Sequence, residues 1–138
     1  MCPCCMLHEE TTMHLYQCRS PAVRKLLQKG LDDMEDNLRR RQMPSAIWSA
    51  IREGVESYCN AAPVPIVSGR GDIGEAVRIQ AGLGWGNFLK GRVSLQWGRT
   101  MGKVYVESPN LRRCESKRWF VITMIESLWE IYDLLWKH

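Results

Sequence analysis

Apolar residues recur at three- and four-residue intervals along most of this chain, and no strand pattern is convincingly written anywhere. Ser20-Pro21 reads as a helix start: a hydroxyl cap, then a proline whose missing N–H costs nothing in the first turn. Val23, Leu26, Leu27, Leu31, Met34 and Leu38 follow at helical spacing, with Gly30 expected as a weak point or break. Acidic Asp32, Asp33, Glu35 and Asp36 precede Arg39, Arg40 and Arg41, an order that suits the helix dipole. Glu35–Arg39 and Asp36–Arg40 fall at four-residue spacing. Pro44 opens a second helix carrying Ile47, Trp48, Ile51, Val55 and Tyr58 on one side, ending near Asn60.

Pro63, Pro65, Gly69 and Gly71 make 63–72 a loop, and a short helix is predicted over 73–82. Trp85, Phe88 and Leu89 form an apolar knot among glycines. Val93, Trp97, Met101, Val104 and Tyr105 predict a helix over 94–107, closed by Ser108-Pro109-Asn110. In the last segment Thr123, Glu126, Ser127, Glu130, Asp133 and Lys137 trace one polar stripe. So narrow a stripe predicts a helix buried on most of its circumference. The expected fold is all-α: a helical domain of about five helices over 20–138, preceded by a short module over 1–19.

That first module carries the chemistry. Cys2 and Cys5 stand two residues apart, His14 and Cys18 three apart, with eight residues between the pairs. Three thiolates and one imidazole complete a tetrahedral zinc shell with no position open to water, so the site is expected to be structural. Cys4 competes with Cys5 or Cys2, and His8 competes with His14. The preferred set is Cys2, Cys5, His14 and Cys18, because two intervening residues turn both thiolates onto one ion and His-x3-Cys shares one face of a helical turn. Zinc is expected to fix this turn against the first helix of the body.

The chain has 138 residues, 45% hydrophobic residues, six tryptophans and a formal net charge of +4, enough for a core and compatible with an anionic partner. Its six cysteines could frame disulfides. However, three crowd into positions 2–5, Cys59 and Cys114 fall in helical segments, and no charged-then-apolar leader is written, so a reducing, intracellular compartment (nucleus or cytoplasm) is expected. No apolar run reaches the roughly 18 residues of a membrane span.

Gly69-Arg70-Gly71-Asp72-Ile73-Gly74 matches a dinucleotide-binding pattern letter for letter. That pattern needs a buried strand before it and an acid roughly 20 residues on, and this chain supplies neither. Arg70-Gly71-Asp72 would be an integrin ligand only on an extracellular protein. Basic residues gather at Lys90 and Arg92, and at Arg112, Arg113, Lys117 and Arg118; apart from Glu115, no acids stand beside them. These are the candidate phosphate contacts, and such contacts are sequence-blind and salt-dependent. The tryptophans could stack on bases, but at helical spacing they are expected in the core. No Ser–His–Asp set, open metal site or phosphate loop can be assembled, so no enzyme is expected.

Cys2-Pro3-Cys4-Cys5, Glu9-Glu10 and His14-Leu15-Tyr16-Gln17-Cys18 together resemble the zinc-binding segment downstream of the polymerase in non-LTR-type retroelement reverse transcriptases. The run from Gln80 to Trp97 (QAGLGWGNFLKGRVSLQW) resembles the Q-x-x-I-G-W-x-x-F-L-x-G-R-x-S-x-x-W block of their C-terminal tails. Ser116-Lys117-Arg118-Trp119 and Leu128-Trp129 to Trp136-Lys137-His138 are similar to the closing tryptophan-rich helix, which in that family commonly ends in Arg-Asn. The resemblance implies a zinc knuckle that helps grip template RNA or target DNA beside an upstream polymerase domain. It brings no polymerase aspartate pair and no endonuclease pattern. The expected function is therefore a non-catalytic, zinc-stabilised nucleic-acid-binding accessory module. The alternative is a structural or protein-interaction helical scaffold, or a relic fragment, without nucleic-acid binding.

Overall fold

A computed structural model describes residues 1–63, 71–107 and 117–138, and their side chains except those of 104–107 and 117–119. The described residues form seven α-helices and no strand: α1 (Thr12–Gln17), α2 (Pro21–Arg40), α3 (Ser45–Cys59), α4 (Gly71–Leu83), α5 (Trp85–Leu89), α6 (Gln96–Glu107) and α7 (Lys117–Trp136). The all-α expectation holds. α1 and α5 are the two elements the periodicity did not write as helices, each being too short to repeat a pattern. Residues 64–70 of the expected loop, Ser108-Pro109-Asn110 and Cys114 lie outside the described residues.

α2 runs unbroken through Gly30, against expectation. A Cβ at this position would come within 3.1 Å of Ile131 Cγ1 and 3.6 Å of Leu134 Cδ2. Gly30 therefore lets α2 and α7 approach closely, and lost helix propensity is offset by close packing. Ser20 does hold the N-cap position, but its hydroxyl makes no cap bond. The acidic run finds a partner that i,i+4 spacing could not reveal. Arg52 of α3 donates to Asp32 (2.8 Å), Glu35 (3.2 Å) and Glu56 (2.8 Å), tying α3 to α2. Arg39 stands 3.8 Å from Glu35, while Arg40 Nε donates to the Asp36 carbonyl instead.

Three helices close alike. After α2 the Gln42 and Met43 N–H groups return to the Arg39 and Leu38 carbonyls; after α3 those of Ala61 and Ala62 return to Tyr58 and Ser57. After α5 the same pair of bonds runs from Gly91 and Arg92 to Phe88 and Asn87. This Schellman closure requires a left-handed residue, supplied by Gln42, Ala61 and Gly91. Only Gly91, at φ 88°, announces it by residue type.

The glycine-rich knot is closely packed. A Cβ on Gly54 would fall 2.2 Å from the Trp85 ring, and one on Gly86 would fall 2.7 Å from the Tyr58 hydroxyl. Trp85 meets Phe88 edge-on at 5.4 Å and Trp97 at 6.4 Å. Gln80 of α4 is fully buried beside them. Its Oε1 accepts from the Ser94 N–H (2.9 Å) and the Trp97 indole (3.3 Å), and its Nε2 donates to the Arg92 carbonyl (3.2 Å). One amide thus joins α4, the turn before α6, and α6 itself.

α7 departs from its expected stripe. Thr123 and Ser127 are buried, the Ser127 hydroxyl donating to the Thr123 carbonyl at 2.9 Å, whereas Ile122, Trp129 and Trp136 are exposed. A back-bonded serine satisfies its own hydroxyl, so the small side chain can face a neighbouring helix at little cost. The helix buries one face, through Phe120, Met124, Leu128, Ile131 and Leu135, rather than most of its circumference.

Gln80→Leu strands the Ser94 amide and the Trp97 indole in a dry core. The expected loss is about 2–4 kcal/mol of unfolding free energy, since each orphaned buried group costs roughly 1–3 kcal/mol; urea denaturation checks it, and a loss under about 1 kcal/mol counts against Gln80 as a keystone. Burial also pushes the Cys59 thiol up to about 12, with Glu56 adding to the shift and Arg24 opposing it. The unfolded chain releases this proton near 9 while the fold retains it. Cys59 thus stabilises fully below about pH 9, and its contribution fades by roughly 1.4 kcal/mol per pH unit as pH rises toward 12. Urea midpoints at pH 8 and pH 10 should diverge, and Cys59→Ala should flatten that slope.

Candidate metal centre

Cys2, Cys5, His14 and Cys18 converge at the front of the molecule, their four donor atoms all within 4.8 Å of one another. The Cys5 sulfur and His14 Nε2 stand 3.2 Å apart. Tetrahedral bonds of about 2.3 Å to sulfur and about 2.0–2.1 Å to nitrogen place donors roughly 3.6–3.8 Å apart, so small side-chain movements suffice to share one ion. The donor set fits a metal ion, and every ligand position would come from the chain.

Local backbone geometry explains the convergence. The Cys2 N–H donates to the His8 carbonyl at 2.6 Å and the Met6 N–H to the Cys2 carbonyl at 2.9 Å, closing a tight turn. Met6 takes φ 55° to complete it. The Cys4 and Cys5 amides lower the Cys2 thiol, and the Ser20 amide acts the same way on Cys18. Backbone amides near a thiolate favour its charged, metal-ligating form. Thr11 caps α1, its hydroxyl accepting from the His14 amide at 3.1 Å, and so sets the first turn from which His14 projects. Thr11 and the amide donors escaped the sequence reading; a threonine three residues before His14 was the available signal.

Burial disfavours charge on Cys2, but its amide and thiol hydrogen bonds outweigh burial and hold the thiol below its ordinary range. At Cys18 burial dominates and pushes the thiol up to about 11. Cys4 is partly buried, raised by burial and by the neighbouring sulfurs, and stands outside the four-donor group. His8 is exposed, its ring 5.0 Å from that of His14 and tilted by 47°. The described cysteines, Cys2, Cys4, Cys5, Cys18 and Cys59, are all free thiols.

The module docks on the far ends of α3 and α5 rather than lying simply against α2. Tyr16, buried between two ligands in sequence, donates its hydroxyl to the Leu89 carbonyl at 3.4 Å. Gln17 donates to the Tyr58 carbonyl at 2.9 Å, and Arg24 of α2 to the Cys59 carbonyl at 2.8 Å. Cys2, Tyr16 and Cys18 belong to the same buried cluster as the helical body.

Of the candidate phosphate contacts, Lys90 and Arg92 are exposed at the corner after α5, directly beyond Leu89. The Arg92 guanidinium reaches the Asn87 side chain at 3.5 Å. Lys117 and Arg118 begin α7, with side chains outside the described set, and Arg112 and Arg113 lie outside the described residues. No described helix is long and apolar enough to cross a membrane. Compared with known proteins, the chain matches no family model, no curated sequence and no solved structure.

Cys2→Ser and Cys18→Ser are expected to drop bound metal from about one ion per chain to below a tenth, and to raise amide exchange in α1, because binding and local folding are coupled. Cys4→Ser and His8→Ala should keep the ion. Elemental analysis of the purified proteins decides the ligand set.

Proposed function

We propose that this chain is a non-catalytic nucleic-acid-binding module whose front end is held by one zinc ion. The carrying observation is the four-donor cluster of Cys2, Cys5, His14 and Cys18, anchored through Tyr16 to the carbonyl of Leu89. Three sulfurs and one imidazole suit zinc, and a shell filled by the protein supplies rigidity instead of a reactive position. The ion's contribution is to clamp the turn; the chain's own residues do the rest. Tyr16 and Gln17 carry that rigidity to the ends of α5 and α3.

Lys90 and Arg92 stand on the corner thus braced, and they are the described residues we assign to phosphate contact. Gln80 holds the backbone of this corner through the Arg92 carbonyl, so both cations project from a fixed support. Arg112, Arg113, Lys117 and Arg118 extend the assignment on sequence grounds. The resemblance of the cysteine–histidine run and the 80–97 block to retroelement reverse-transcriptase tails supports RNA or DNA as the partner and an upstream polymerase domain as the neighbour.

Fluorescence anisotropy with labelled single- and double-stranded RNA and DNA tests this reading. Affinity should fall by about tenfold or more between 50 and 200 mM salt if two or more phosphates are neutralised. Lys90→Ala with Arg92→Ala should reduce the slope of log affinity against log salt by about two, uniformly across sequences. Absence of binding at 50 mM salt, or a slope unmoved by the double variant, counts against it.

A further inference from the structure

α7 carries a second apolar seam, of which the core takes up only part, through Tyr132. Ile122, Trp129 and Trp136 repeat every seven residues and are 45%, 59% and 58% exposed. Ile125 and Tyr132, three residues after the first two, are half-buried between them. This is an a/d heptad pattern over 15 residues, a strip of about 21 Å at 1.5 Å per residue. The rings order one another. Trp129 meets Tyr132 edge-on at 5.9 Å, and Tyr132 stacks on Trp136 at 6.0 Å with 12° between planes.

The two edges of the strip differ. Along one run exposed Glu126, Glu130 and Asp133, the last paired with Lys137. Along the other lies the corner after α5. A Cβ on Gly91 would stand 3.7 Å from both Ile125 and the Trp129 indole nitrogen. Between them Leu89, Lys90, Trp129 and Tyr132 line a cavity of about 360 Å³, room for a large apolar side chain.

We infer that this seam docks a basic amphipathic α-helix of a partner protein, its apolar a/d residues against the aromatic strip and its lysines or arginines against Glu126, Glu130 and Asp133. The heptad period selects a helix, because only a helical partner presents knobs at that spacing. The acidic edge selects its charge. A second copy of the chain fits worse. Antiparallel pairing of two α7 helices sets Glu126 and Asp133 against the same acids, and parallel pairing turns them toward Leu128 and Leu135, which the core already buries. A nucleic acid laid along the strip would bring phosphates to the same carboxylates. The seam meets the proposed phosphate contacts at Lys90, which lines the cavity, but the heptad strip and its acidic edge are argued without the charge of Lys90 or Arg92.

The probe is a labelled 21-residue helical peptide with leucine at a and d and lysine at the flanking positions, titrated into zinc-loaded full chain. Its counterpart carries glutamate in place of lysine. The lysine peptide should bind at least tenfold more tightly than the glutamate peptide and shift the tryptophan emission. Trp129→Ala should cost at least tenfold in peptide affinity while leaving oligonucleotide affinity and the circular dichroism spectrum unchanged. Glu126→Lys with Asp133→Lys should reverse the order of the two peptides. The proposal is overturned if neither peptide binds or both bind equally. It is also overturned if a single-stranded oligonucleotide displaces the peptide from the Lys90→Ala, Arg92→Ala double variant, or if sedimentation shows a dimer that Trp129→Ala dissolves. Failure of oligonucleotide binding with peptide binding intact would strike the phosphate assignment alone.

Discussion

The buried side-chain amide of Gln80 is the constraint on which the corner between α5 and α6 rests. An isolated amide in a dry core is costly, and it is tolerated only when its polar atoms are matched. Here the match is made with three groups from the turn before α6 and from α6 itself: the Arg92 carbonyl, the Ser94 amide and the Trp97 indole. Satisfying the amide therefore specifies where the turn after α5 sits and how α6 leaves it. Trp85 then fills the space that Gly54 leaves open, and the positive φ of Gly91 lets the chain reverse under α7. Hydrophobic burial stabilises this region, but hydrogen-bond satisfaction gives it one arrangement.

The cysteine–histidine cluster reaches the same corner from the other side. Its ligands bracket Tyr16, whose hydroxyl ends on the carbonyl of Leu89, one residue before Lys90. A loose N-terminal turn could not hold a tyrosine in that position, since nineteen residues with one short helix bury too little surface to order themselves. Metal cluster and Gln80 thus brace one surface feature between them, the corner that carries Lys90 and Arg92 and forms one wall of the cavity beside Trp129. Phosphate contact and helix docking would occupy adjacent but chemically distinct surfaces, one cationic, one aromatic with an acidic rim.

Much of this was legible in the chain itself. Helical periodicity located α2, α3, α4, α6 and α7 to within a few residues, because each buries one face at a period that repeats over several turns. The four clustered residues were legible because ligand spacing is local: a Cys-x2-Cys turn and a His-x3-Cys helical step each bring their donors to one point. The Gln80–Trp97 block was visible as a pattern, though its meaning was not. Its residues serve the core and its turn, which only their mutual hydrogen bonds and ring contacts disclose.

Tertiary structure alone decided the roles that depend on what lies across a gap. Gly30 looks like a helix breaker until Ile131 is seen against it, and Arg52 looks like a surface charge until Asp32 and Glu35 of another helix reach it. Most consequential is α7, where a polar stripe read on one helix assigned Thr123 and Ser127 to water and the tryptophans to the core. The packed molecule does the reverse for Ser127 and Trp129. A single sequence shows which residues share a face; it does not show which face a neighbouring helix covers, because that choice belongs to the pair and to the space between them.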